Sequence, residues 1–210
     1  MTCLGRTKDL GIIVSNKFTP TAQCEAAAAK ALRTLFSIRS VTVNRSSDVL
    51  LPLYTALVRP HLEYCIQAWV PYLKKDMAIL ERVQRLATRM MRDVCHLPYH
   101  DRLKRLNLFS LERRRLRGDL IEVYKFTRDP VNSPLAILFT FRSVTSLRGH
   151  SLTVYKMGSR SASRDNYFSN RVVNPRNKRS TGVVNSSPVD NFKQLLDLAC
   201  DELLPGSHQS

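Results

Sequence analysis

The sequence predicts a mainly α fold: a helical bundle with a short N-terminal strand and a looser C-terminal part carrying minor β structure. Three observations predict it. Apolar residues recur at helical spacing through successive segments between Thr19 and Arg128. Prolines and capping residues (Thr19-Pro20, Ser46-Ser47, Pro71, Ser110, Asp129-Pro130) punctuate those segments at helix-sized intervals. From Ser143 to Ser187 the composition shifts to serine, arginine and asparagine, and the periodicity fades.

Residues 8–15 read as a strand, because Leu10, Ile12, Ile13 and Val14 form an apolar run with β-branched members. Thr19 and Pro20 open a helix to about Arg39, with Cys24, Ala28, Leu32, Leu35 and Ile38 as its apolar stripe. Ser46 or Ser47 caps the next helix, with Pro52 in or near its first turn. Beyond it Leu57 to Trp69 is apolar nearly all round, which predicts the most buried segment of the chain, kinked at Pro60 and ended by Pro71. Within it Arg59 calls for a partner, and Glu63 is the nearest. Lys75 or Asp76 starts a helix to about Asp93, with Ile79, Leu80, Val83, Leu86, Ala87, Met90 and Met91 on one side. A short helix near 100–106 follows. Ser110 then caps a long one to about Arg128, with Leu116, Leu120, Val123 and Thr127 facing inward and Asp129-Pro130 ending it. Short β pieces at Phe139–Val144 and Ser151–Lys156, a helix from about Asp165 to Asn174 and another from Val189 to Leu204 complete the chain. The final PGSHQS reads as a frayed end.

Charge narrows the function. A chain of 210 residues with 33 Lys+Arg against 17 Asp+Glu carries +16, which favours a polyanionic partner, nucleic acid before an acidic membrane surface. Residues 72–128 hold +8 of this in about a quarter of the length. No apolar run is long enough for a membrane span and no signal-peptide core opens the chain, so the expected setting is intracellular, nuclear or cytoplasmic. Five scattered cysteines suit a reducing compartment.

Two basic constellations stand out. Arg82, Arg85, Arg89 and Arg92 fall in a narrow helical arc opposite an apolar stripe. Successive members rise ~4.5 to 6 Å along the axis, close to the phosphate repeat of a nucleic-acid strand. A solvated basic face is the plainer reading. The second set is Arg113, Arg114, Arg115, Arg117 and Lys125 around Gly118, of which Arg114, Gly118 and Lys125 share a stripe. There a partner's backbone could approach the glycine. Alternatively Gly118 lets helices pack closely while the arginines are solvated or pair with Glu112, Asp119 and Glu122. Cys95, His96 and His100 lack paired metal-ligand spacing and would need a distant Cys65 or Cys3, so no metal and no cofactor is expected. No adjacent Asp pair, phosphate-binding loop or nucleophile elbow occurs, so the chain alone is not expected to be an enzyme.

Several motifs in order resemble LINE-type (non-LTR) retrotransposon reverse transcriptases of the jockey-like and chicken-repeat kind. They are KDLGIIV at 8–14, LVRPHLEYCIQAWVPYLKKD at 57–76, ERVQRLATRMMR at 81–92, LKRLNLFSLERRRLRGD at 103–119 and NYFSNRVVN at 166–174. The resemblance implies the region after the polymerase palm, a thumb-like helical domain over 19–130 that grips template–primer duplex through its backbone. Residues 1–18 would then be a remnant of the last palm strand and 131–210 a basic appendage. The family's Tyr-Ala-Asp-Asp turn and earlier Asp would lie before residue 1, so a fragment without the catalytic palm is implied. The residues expected to touch nucleic acid are Arg82, Arg85, Arg89 and Arg92, then Arg113, Arg114 and Lys125. One departure is informative: where the family reads Leu-Trp-Asn-Ser-Leu-Pro, residues 175–180 read Pro-Arg-Asn-Lys-Arg-Ser. Losing two apolar anchors implies a loosened C-terminal quarter, as in a decayed copy. A helical module for an acidic protein or membrane surface, or a reading frame with no selected function, are the alternatives.

Overall fold

The computed structural model describes residues 5–16, 18–128, 136–140 and 153–199. Its architecture is mainly α, with one two-stranded antiparallel sheet near the N-terminus. The chain divides into two compact units, Met1–Glu112 and Arg113–Ser210. This division precedes the 130/131 boundary read from the sequence, because the long helix after Ser110 shares its core with C-terminal residues: Leu120 and Tyr124 cluster with Val183, Phe192 and Leu196.

The first unit opens with β1 (Arg6–Asp9) and β2 (Ile12–Ser15), paired from Arg6↔Ser15 to Asp9↔Ile12. The single strand expected over 8–15 is therefore a hairpin. Leu10 and Gly11 form its turn with φ of 45° and 83°, the left-handed pair that a tight hairpin needs. Glycine takes that conformation freely; Leu10 adopts it with its side chain 83% exposed. The Ile13 N–H donates to Oε1 of buried Gln23 at 2.9 Å, tying β2 to the first helix.

That helix, α1 (Thr21–Val41), has Pro20 at its N-cap, one residue inside the expected start. Ser15 Oγ accepts the Thr19 N–H at 3.1 Å just ahead of it. Next, α2 (Ser47–Leu53) is capped by a distant carboxylate: Asp93 accepts the Ser47 N–H at 2.9 Å and the Ser47 hydroxyl, while Ser46 makes no side-chain cap. Pro52 sits inside this helix, past the first turn where it was expected, and faces solvent.

A π-helical turn (Tyr54–Val58), α3 (Arg59–Glu63) and α4 (Ile66–Trp69) follow, with left-handed Cys65 (φ 50°) between the last two. The single all-buried helix expected over Leu57–Trp69 is thus broken, and it is one-sided. Val58, Leu62, Ile66 and Trp69 are buried, whereas Leu57 and Tyr64 are 48% and 57% exposed. The expectation that this is the most buried segment is overturned. The cause is local: the π turn adds a residue, so that the Arg59 N–H reaches Tyr54 O and Pro60 falls in the first turn of α3, where its missing N–H does no harm. Arg59 does meet Glu63, at 4.0 Å.

The remaining helices of this unit are α5 (Lys74–Arg89) and α6 (Tyr99–Arg105). α1 packs chiefly on α5, and its small side chains Cys24, Ala27, Ala28 and Ala31 let the axes come close. Leu80, Val83, Ala87 and Met91 fill the other side, as the sequence stripe predicts. Asp76, fully buried in the first turn of α5, accepts the Thr21 hydroxyl at 2.8 Å and sits at the favourable end of the helix dipole.

From Arg113 onward α7 (Leu111–Arg128) is the spine of the second unit. Leu120, Ile121 and Tyr124 pack with Val183, Phe192 and Leu196, while Val123 and Phe126 pack with Phe139, Val154, Phe168, Val172 and Val173. The later helices are α8 (Ala162–Asp165), α9 (Phe168–Arg171), α10 (Val173–Asn177), α11 (Thr181–Val184) and α12 (Val189–Ala199). Three short turns thus replace the helix expected from Asp165 to Asn174. Asn166 Nδ2 donates back to Ala162 O at 2.7 Å, the local bonding by which asparagine ends helices.

Among the described residues the minor β structure of this part is one bridge at Val154, whose N–H and carbonyl the Asn177 side chain matches at 3.2 and 2.8 Å in the manner of a neighbouring strand. The Asp129-Pro130 stop, most of Phe139–Val144, the start of Ser151–Lys156, the tail of the last helix after Ala199 and the final PGSHQS lie outside the described residues. Arg176 and Arg179, among the basic replacements at 175–180, are only 5% and 8% exposed and line a pocket with Leu120, Tyr124 and Phe192. Burial pushes Arg176 down to about 10, and the long aliphatic stems supply apolar cover there.

Candidate nucleic-acid interface

The arginine stripe is built on α5 from the core outward. Its apolar face is fixed by burial, so Arg82, Arg85 and Arg89 are turned to solvent along one arc. Arg92 is exposed too but lies beyond the helix end, in a turn held by its own N–H donating to Arg45 O at 2.9 Å. The helical spacing therefore applies to three of the four arginines. None of the four forms an ion pair among the described residues.

A buried polar chain props this face from beneath. Tyr54 Oη donates to Gln84 Oε1 at 2.8 Å, and Gln84 Nε2 donates to Phe109 O at 3.0 Å and to Tyr99 Oη at 3.1 Å. Tyr99 Oη donates in turn to Glu81, whose other oxygen accepts the Leu111 N–H at 3.1 Å. Burial, reinforced by the Glu81 charge, pushes the Tyr99 phenol up, so it stays protonated and donating. Glu81, one turn before Arg85 on α5, is turned to these neutral donors and makes no ion pair with the stripe.

The Tyr99 ring carries the stripe further. The Arg85 guanidinium lies over it at 4.4 Å from the centroid and that of Arg102, from α6, at 5.5 Å. Arg102 is 6% exposed, and its Nε has no hydrogen-bond partner. Burial, then the charges of Arg89 and Arg85, push Arg102 below its ordinary value. Arg85 and Arg102 thus share the Tyr99 ring, and the Arg89 charge also acts on Arg102. Sequence reasoning missed Arg102. The available signal was the short helix at 100–106, whose residues were assigned no role.

The second basic set has a different fate. Arg113 donates to Asp197 O at 2.9 Å, and Arg117 grips the Asp197 carboxylate through bonds of 2.5 and 3.0 Å. Arg115 is 5% exposed. Lys125 pairs with Glu122 at 2.8 Å. Asp119, 3% exposed, is clamped by Arg171 through bonds of 2.9 and 3.0 Å; burial pushes its carboxyl up and the Arg171 charge opposes that. Arg114 is half-buried. A Cβ on Gly118 would meet nothing within 4 Å, so close helix packing does not explain that glycine. Of the residues expected here to touch nucleic acid, Arg113 and Lys125 are engaged within their own unit.

Among the described residues no group of three or more His, Cys, Asp or Glu side chains converges as a metal site would, and Cys95 Sγ donates to Arg92 O at 3.3 Å. No described helix is long and apolar enough to cross a membrane. Comparison with known proteins finds no matching family model, no matching curated protein and no matching solved structure.

Proposed function

We propose that this chain is the post-palm, thumb-like part of a LINE-type reverse transcriptase, lacking the catalytic palm, and that it binds the backbone of template–primer duplex without reading sequence. The proposal rests on the motif resemblance and on one structural observation: an exposed arginine face on α5 that forms no ion pair, backed by the buried Arg102 across the Tyr99 ring. Such a face attracts phosphates by counterion release, whatever the bases. The same reading assigns the chain an intracellular setting and no polymerase activity of its own.

The test is duplex binding by the full chain across a salt series. The expected result is similar affinity for unrelated duplexes, a steep salt slope and no primer extension with magnesium and a primed RNA template. Affinity insensitive to salt would overturn the binding reading. Measurable extension would overturn the non-catalytic one.

A further inference from the structure

The first unit holds a second basic feature that the stripe does not use. Where the β1–β2 hairpin, α1 and α3 face one another there is a cavity of about 520 Å³. Its basic lining comes from three elements: Lys8 on β1, Lys30 and Arg33 on α1, and His61 on α3. Lys30 and Arg33 are three residues apart and so fall on the same helical face. No carboxylate lines the cavity, and none of these four side chains has a hydrogen-bond or ion-pair partner among the described residues. His61 lies close enough to Lys30 to be pushed down by its charge, in addition to the effect of burial. Like charges gathered round a cavity repel one another unless an anion joins them.

Apart from Gln23, whose Oε1 accepts the Ile13 N–H, the rest of the lining is mainly apolar. Ile13, Ala27, Pro60 and the Tyr64 ring form it. Tyr64 is tethered to the hairpin, because its hydroxyl donates to Leu10 O at 3.2 Å and its ring edge lies beside Gly11. A basic rim beside a fixed aromatic wall suits an anion carried on a flat, apolar body. The volume is that of a small-molecule site and leaves room for far more than a bare phosphate. We propose that this cavity binds a nucleoside phosphate, with the phosphate held by Lys30 and Arg33, supported by Lys8, and the base against Tyr64. The site is separate from the α5 stripe and stands or falls without it.

The experiment titrates the full chain with adenosine 5′-monophosphate, adenosine and inorganic phosphate by calorimetry. The nucleotide is expected to bind more tightly than either part. Lys30→Ala/Arg33→Ala removes two charge-assisted contacts and is expected to weaken it by at least roughly tenfold. Both side chains are exposed, so circular dichroism should be unchanged. Tyr64→Ala is expected to bring nucleotide affinity down to that of inorganic phosphate. Arg82→Ala/Arg85→Ala/Arg89→Ala is expected to leave nucleotide binding intact while weakening duplex binding, which separates the two proposals. Competition by an oligonucleotide with a 5′-phosphate, but not by its 5′-hydroxyl form, would make a strand end the source; no competition would make it free nucleotide. No nucleotide binding at millimolar concentration, equal binding by the Lys30/Arg33 variant, or inorganic phosphate binding as tightly as the nucleotide would each overturn the proposal.

Discussion

α5 and α7 are both arginine-rich amphipathic helices, yet their charges are used in opposite ways. On α5 the arginines face solvent without an ion pair, while Glu81 holds Tyr99 and the Leu111 N–H and Asp93 caps α2. On α7 the charges are committed within the second unit, Arg117 to Asp197, Asp119 to Arg171 and Lys125 to Glu122. Charge density along a sequence therefore does not measure charge available to a ligand. What decides is where the carboxylates go.

The sharpest way to break the comparison is to remove a partner on the α7 side. Asp119→Ala strips the carboxylate from Arg171, whose side chain is only 13% exposed in that pair. A buried ion left without its counter-ion destabilises by about 3–5 kcal/mol. Urea unfolding should show a loss of that order. A change below about 1 kcal/mol would mean that α7's charges are not structurally committed and that the contrast with α5 is false.

These commitments explain what the sequence revealed and what it hid. α1, α5 and α7 were legible, since each has an apolar stripe at helical spacing and clear end signals, and α6 was read as a short helix near 100–106. The hairpin was not, because its turn lies inside an apolar run and places Leu10, not a polar residue, in a left-handed conformation. Leu57–Trp69 was over-read for a related reason: composition marked every face as apolar, but only the positions of Val58, Leu62, Ile66 and Trp69 meet the core. The exposed arginines of α5 were legible from the stripe opposite them. The pairing of Arg117 with Asp197 and of Asp119 with Arg171 was not, as the partners lie 80 and 52 residues apart. Arg102 escaped notice because its place in the site depends on the Tyr99 ring, a tertiary contact without a local pattern.

On the α5 side, Asp93 offers the matching test. Asp93→Ala should destabilise by about 1 kcal/mol, the usual effect of losing a helix cap. Acid adds a sign. Slight burial pushes this carboxyl up, but the Ser47 hydrogen bonds, with Arg105, outweigh that and hold it below its ordinary value. A depressed folded pKa gives stability that is present above the unfolded value of about 3.8 and lost as pH falls through the folded one. Wild type should therefore lose its advantage over Asp93→Ala below about pH 4. An advantage that grows on acidification would mean that Asp93 does not act as an ionised cap.

A third change sharpens the contrast in binding. In Arg82→Ala/Arg85→Ala/Arg89→Ala, each site should shift stability by no more than about 0.5 kcal/mol, as at exposed positions. The duplex salt slope should fall by about 1 for each arginine removed. An unchanged slope would leave the α5 face as solvated charge. Unfolding of any single variant would show that the stripe is buried, against its observed exposure.

The smallest effect is expected at Lys125, where the two helices differ most quietly. Lys125 and Glu122 form an exposed pair on one face of α7. Pairs of this kind stabilise a helix by only about 0.2–0.5 kcal/mol, and salt weakens them. Lys125→Ala should therefore barely move the unfolding midpoint, and its effect should vanish in high salt. Its duplex affinity should also fall less than that of Arg85→Ala, since its ammonium is already partly neutralised by Glu122 while Arg85 makes no ion pair. The comparison is a double one, measured on both variants across the same salt series. If Lys125→Ala lowers the salt slope as much as Arg85→Ala does, pairing with Glu122 does not withhold the charge, and α7 must be counted as part of the nucleic-acid surface after all.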